Sequence, residues 1–331
     1  MVNMARPRDS MTNGETFAWI FISFFVLMMG LWMTLLSHWL VYFAQLEFLH
    51  ISLFVCGWLY LDREAAGLGN RCSKRFRRWN PLGRWIASLL PVKLVKTVDL
   101  DPNGKYIFGV HPHGAVALLS TFVSEATGFS ELFPGLDMHM VVMDYHFSVP
   151  LFKEYFSHSG AISSSPEAID HVLGRGSGKI VAIAVGGGYE LIDAHPGTMV
   201  LTLKKRKGFV KKALKHGASL VPVLNFGDND LLHQYPNPPG SQWRKMQDLI
   251  QRLFHRYLSP VTFHGKYYGL ATIAPCHTVV GSPIEVPKME NPTQEEIDSV
   301  HAKYVKAVED LFDKHAEKYS NYPDMKLDIR Y

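Results

Sequence analysis

A chain of 331 residues with 34 Lys and Arg against 30 Asp and Glu, formal charge +4 and a pI near 8.8, is only mildly basic, and its cations cluster. That balance suits anionic lipid or a phosphorylated substrate, and no nucleic-acid motif accompanies it. The length allows one large core plus an anchor, and three cysteines (Cys56, Cys72, Cys276) without Cys-x-x-Cys spacing exclude a disulfide framework and fit a reducing, cytosol-facing body.

Residues 1–16 read as a polar, cytosolic tail carrying Arg6 and Arg8. Phe17 to Leu36 holds no charged residue and is long enough to cross a bilayer. A second apolar stretch, Trp39 to Leu61, follows it where a signal peptide would have a cleavage site, so the segment reads as a retained anchor. Gln45, Glu47 and His50 interrupt the second stretch, and residues 17–61 are therefore expected as a membrane hairpin, either two transmembrane helices or a re-entrant pair. Cations flank it on both sides, with Arg63, Arg71, Lys74, Arg75, Arg77 and Arg78 after it, which puts both flanks in the cytosol. Residues 62–98 interleave these cations with Phe76, Trp79, Leu82, Trp85 and Ile86, a composition expected at the headgroup layer.

Residues 99–331 are expected to form one catalytic domain of α/β class, a mixed sheet flanked by helices. Strand-like runs lie at Tyr106 to Val110, Met138 to Met143, Lys179 to Val185 and Leu220 to Phe226, and helical signals at Ala115 to Val123, Pro166 to Leu173 and Phe209 to His216. Ser165-Pro166 is a helix start. Thr293-x-x-Glu296 is a capping box opening a long helix whose stripe of Ile297, Val300, Tyr304, Val308, Leu311 and Phe312 reads as core.

The first strand ends in His111-Pro112-His113-Gly114. Pro112 pushes His111 toward an extended conformation and Gly114 permits close backbone packing, so the imidazoles are held at a strand end. With His113 in the first turn of a following helix, the helix dipole disfavours imidazolium and leaves a ring able to accept a proton. The tetrapeptide alone leaves a metal-ligand pair, a catalytic group and a polar loop all open.

Other motifs fail on spacing. Gly174-Arg-Gly-Ser-Gly-Lys179 lacks a phosphate loop's first glycine, where Leu173 sits, and no Gly-x-Ser-x-Gly elbow exists. The glycines at 186–188 lack the dinucleotide pattern. His139 and Asp144 have the His-x4-Asp spacing of glycerolipid acyltransferases, but residues five apart on a strand point to opposite faces.

Four ordered motifs remain: His111-Pro-His-Gly114, Phe133-Pro-Gly135, Gly186-Gly-Gly-Tyr-Glu190, and the run from Arg206-Lys-Gly-Phe209 through Ala213, Gly217 and Leu220-Val-Pro-Val223 to Phe226-Gly227. Together with the N-terminal hairpin they resemble the type 2 diacylglycerol acyltransferase family, which includes monoacylglycerol and wax-alcohol acyltransferases. The resemblance implies an integral, multi-pass enzyme of the endoplasmic reticulum and lipid droplets. Such an enzyme moves a fatty acyl group from acyl-CoA, its substrate and not a cofactor, to a lipid hydroxyl, with the catalytic motif on His111 and His113. Diacylglycerol is the first expectation as acceptor, monoacylglycerol or a fatty alcohol the second, and a noncatalytic lipid-droplet scaffold the alternative of another class. Membrane lipids are expected partners, nucleic acid and metal are not, and a homo-oligomer stays open. At Ala161 the chain departs from a glycine common in the family.

The chemistry then assigns roles. His113 is expected as the base, with His111 positioning it or bonding substrate. Val116 and Leu118 stand where a His-x4-Asp pattern would carry its carboxylate, so Glu190 is expected to orient the histidine, and Gly187 and Gly188, with Gly114, to let substrate approach. Lys204, Lys205, Arg206, Lys207, Lys211 and Lys212 form a cationic lip for CoA phosphates around Gly208 and Phe209, the aromatic serving adenine or acyl chain. Asn225, with Gly227 and Asn229, is expected in the same cleft.

Overall fold

The structure, a computed structural model, is described for residues 37–38, 49–114, 125–254, 261, 263–264 and 272–330. The polar tail, Phe17 to Leu36 and the helix expected at Ala115 to Val123 lie outside these residues. Helices α1 (Leu49–Gly67), α2 (Lys74–Trp79) and α3 (Pro81–Leu89) precede strands β1 (Val92–Lys96) and β2 (Lys105–His111). Next come α4 (Phe129–Leu132), β3 (Asp137–Val142), α5 (Phe152–Ser159), β4 (Ala161–Ser163), α6 (Pro166–Gly174) and β5 (Lys179–Ala184). They are followed by α7 (Gly188–Ile192), β6 (Met199–Thr202), α8 (Gly208–His216), β7 (Ser219–Phe226), β8 (His233–Gln234) and α9 (Gln242–Phe254). The chain closes with β9 (Phe263–His264), β10 (Cys276–Val280), α10 (Gln294–Tyr319) and β11 (Leu327–Arg330).

Seven strands make one sheet in the order β1-β10-β7-β2-β5-β3-β4, with β10 antiparallel to β7 and every other neighbouring pair parallel. Strand alternation sorts β2 onto two faces. Tyr106, Phe108 and Val110 join Phe129, Phe133 and Val223 on one side, while Ile107 joins α6, α8 and α10 on the other. Gly109 and His111 share the parity of Ile107, so the histidine is aimed at α10. The capping box forms as read: Thr293 accepts from the Glu296 amide, and the Glu296 carboxylate accepts from the Thr293 amide. Ser165 caps α6 in the same manner.

The basic segment is tied into the domain more than its composition conveys. Arg71 pairs with Asp62, and Arg77 reaches Asp137 and the Met138 carbonyl, so these two guanidiniums serve the fold. Lys74, Arg75, Arg78 and Trp79 stay exposed. β1, also within residues 62–98, is a member of the main sheet. Helix α1 runs through residue 61 without a break and exposes Leu53, Phe54 and Leu61; buried Lys153 holds it through Asp62 at 2.7 Å and the face of Trp58. Among the described residues no helix is long and apolar enough to cross a membrane.

Because Thr293 satisfies an amide that α10 cannot satisfy itself, Thr293→Ala should destabilise the protein by about 1 kcal/mol in chemical denaturation, with Thr293→Ser near wild type. Equal stability of the alanine and threonine forms would remove the cap from the account.

Candidate active site

β2 lies between β5 and β7 and runs parallel to both, so the carboxyl ends of all three strands open on one edge. This is where an open α/β sheet ordinarily binds ligand. His111-Pro-His-Gly114 follows β2, Gly186 to Glu190 follows β5, and Gly227-Asp228 follows β7.

Glu190 joins two segments. Its buried carboxylate accepts the His113 amide at 2.6 Å and the Thr202 amide, at the end of β6, at 2.8 Å. The carboxyl folds back under the turn, into space that a Cβ on Gly186 would fill. The expectation that Glu190 orients His113 thus takes a different form: the carboxylate holds the main chain of the histidine loop, not the imidazole. Burial also rules out a solvated turn residue.

His113 is half-buried, and its Nδ1 lies 3.0 Å from the Gly114 carbonyl. A carbonyl only accepts, so Nδ1 carries the proton in this contact, and Nε2 is the accepting nitrogen of the neutral tautomer it selects. His111 takes other partners. It is fully buried, its Nε2 sits 2.9 Å from the Tyr304 hydroxyl, and its Nδ1, without a hydrogen bond, faces Glu190 at 4.0 Å. The Tyr304 hydroxyl donates to the Gly109 carbonyl at 3.1 Å, which makes the His111 Nε2–H the donor toward it. The His111 ring is thus buried, and it turns to α10 and Glu190 instead of to the ring of His113.

The family model for diacylglycerol acyltransferase matches residues 39–330. The chain belongs to the diacylglycerol acyltransferase family. It is 42% identical to 2-acylglycerol O-acyltransferase 1 of Bos taurus over 271 residues, covering 79% of this chain and 80% of that one. Diacylglycerol O-acyltransferase 2 of Xenopus tropicalis is 40% identical over 302 residues (88% and 82%). Acyl-CoA wax alcohol acyltransferase 1 of Mus musculus is 38% identical over 276 residues (82% and 84%).

The remaining residues assigned from this acyltransferase's sequence divide. Gly187, at positive φ, caps α7, which Gly188 opens, and Arg206 reaches the same turn, its Nη2 3.4 Å from the Gly186 carbonyl and its guanidinium over Tyr189. Gly208 opens α8. Phe209 does not line a lip: it is buried, with its ring edge-on to Tyr304 at 4.8 Å, because β-sheet packing claims the apolar face of α8. Lys207 turns to Asp298 of α10 at 2.7 Å, and Lys212 to Asp170 at 2.8 Å, so part of the basic cluster is already neutralised. Asn225 is buried inside β7 and accepts from Thr278 of β10. Asn229 donates to the Thr198 carbonyl.

Two residues escape a reading of the acyltransferase's sequence. Tyr304 fits the helix stripe as core, and only its hydroxyl betrays the contact with His111, 193 positions away. Asp228 sits between the Gly227 and Asn229 already singled out. Its buried carboxyl presses against Gly114, whose missing Cβ would lie 2.5 Å from an Asp228 oxygen, and neither carboxyl oxygen has a hydrogen-bond partner among the described residues. Burial, with Asp230 nearby, pushes this carboxyl up to about 8, so it is protonated at neutral pH.

This titration sets a pH dependence of stability. The folded chain keeps a proton that the unfolded chain releases above about pH 4, so between there and about pH 8 stability falls as the pH rises. Asp228→Asn should therefore raise the thermal midpoint, by an increment that grows from about pH 5 to about pH 8. A pH-independent increment in thermal unfolding would contradict this.

Proposed function

We propose that this chain transfers a fatty acyl group from acyl-CoA to the free hydroxyl of diacylglycerol, giving triacylglycerol, with His113 as general base. The observation that carries the reading is the half-buried His113 ring, its Nδ1 at the Gly114 carbonyl and its amide on Glu190, at the carboxyl edge of the parallel strands. Nε2 takes the acceptor's hydroxyl proton as that oxygen attacks the thioester carbonyl. The tetrahedral oxyanion collapses, the C–S bond breaks, and the CoA thiolate takes the proton back from His113. The new C–O bond replaces the thioester without a covalent enzyme intermediate.

Glu190 is a positioning residue in this scheme, fixing where the base stands. His111 and Tyr304 lock the strand end from which the loop departs. Arg206, a cation of the basic cluster, lies over the Gly186 turn beside the site, and it serves the CoA phosphates. The reading places the enzyme in the endoplasmic reticulum membrane and on lipid droplets, with the catalytic body facing the cytosol. The 42% identity to a 2-acylglycerol acyltransferase supports a second acceptor, monoacylglycerol, used by the same groups because both acceptors present a glycerol hydroxyl beside acyl chains.

Membranes carrying the enzyme, given labelled acyl-CoA and a panel of diacylglycerol, monoacylglycerol and fatty alcohol, should form triacylglycerol fastest. His113→Ala should lower turnover by roughly 100-fold or more, the scale of a positioned base. Equal product from both forms would eliminate His113, and a fatty alcohol as best acceptor would move the substrate assignment.

A further inference from the structure

Helix α9 is inside out. Met246, Leu249 and Leu253, at helical spacing, stand on its outer face at 43, 53 and 64% exposure, while Gln247 and Gln251 on the other face are 0 and 1% exposed. A surface helix ordinarily buries its apolar stripe and wets its polar one. The orientation is fixed by the polar partners underneath. Asn237 donates to both Gln247 and the Ile192 carbonyl at 2.8 Å, and Arg244 pairs with Asp193 at 2.7 Å. Rolling the leucines inward would break these contacts.

Two exposed cations, Lys245 and Arg252, stand seven residues apart and so run together along one side of the exposed ridge. Apolar side chains bordered by a row of cations match the boundary of an anionic bilayer, where leucines enter the acyl layer and cationic heads stay with phosphates. A second copy docked with its cationic edge beside this one would set the same two cations against the first pair, which disfavours self-association in that arrangement. We propose that α9 docks on anionic membrane lipid, rim first through Lys245 and Arg252 and then through Met246, Leu249 and Leu253. The inference rests on the reading that the acceptor is a membrane lipid. It adds a route by which the bilayer reaches the chemistry: α9 packs on α7, α7 carries Glu190, and Glu190 holds the amide of His113.

The test uses the full chain with Cys56→Ser and Cys72→Ser, leaving Cys276 buried, and one added cysteine: Met246→Cys, Leu249→Cys or Leu253→Cys, or Glu309→Cys on the exposed charged face of α10. Each is labelled with nitrobenzoxadiazole and reconstituted into vesicles of phosphatidylcholine and phosphatidylserine, with or without nitroxide on the acyl chains. Probes on α9 should lose about half or more of their emission to the nitroxide lipid, while the probe at 309 keeps its emission. Replacing Lys245 and Arg252 by alanine, or omitting phosphatidylserine, should weaken the quenching. Unquenched α9 probes, or equal quenching at 309, overturn the proposal; three reporter positions guard against one variant that fails to fold. Self-quenching that rises with protein density and ignores nitroxide assigns the face to a second copy instead. Quenching needs no turnover, so a failed acyl-transfer reading and a failed docking surface give separate results.

Discussion

A buried carboxylate that accepts two main-chain amides organises this molecule. Among the described residues Glu190 spends no hydrogen bond on a side chain; it ties the loop after β2 to the end of β6, and it does so from a short helix that follows β5. Charge-assisted bonds to amides in a dry site are among the stronger polar contacts, and losing one would strand a buried charge. The carboxylate therefore needs both amides, and the loop bearing the histidines is held where the sheet leaves it.

The second constraint comes from the far end of the chain. Tyr304 of α10 reaches the Gly109 carbonyl and the His111 ring, so this helix seals the strand end behind His113. Glycine at 109 is what admits the phenol, since a Cβ there would occupy the space of the hydroxyl. Burial and the neighbouring Glu190 raise the Tyr304 hydroxyl above its ordinary range, which keeps it a neutral donor. His111 and His113 thus sit two residues apart with different duties, one buried in the scaffold and one at the cleft.

Much of this was legible in the sequence, for local reasons. The apolar strands, the Ser165 cap and the Thr293 box are written in short windows, and the structure forms each within a residue or two. That the histidine loop and Glu190 stand side by side has a local reason too, because parallel strands feed their carboxyl-end loops to one edge. What could not be read depends on long-range packing. Phe209 looked available beside lysines, but the apolar face of α8 turns it onto Tyr304. Lys207 looked like a phosphate ligand, but Asp298 lies across from it. Asp228 gave no hint of its burial, although the adjacent Gly227 and the end of β7 mark its position.

The central claim is that Glu190 acts through the His113 main chain. It is tested most directly by a double-variant cycle on turnover with acyl-CoA and diacylglycerol. A glutamine at 190 has one accepting oxygen in place of two, so Glu190→Gln should lower kcat by about 10- to 100-fold with little change in KM for acyl-CoA. Added to His113→Ala, it should cause almost no further loss, since a displaced loop costs nothing once its base is gone. Losses that multiply in the double variant, or a Glu190→Gln enzyme at wild-type rate, would contradict the account.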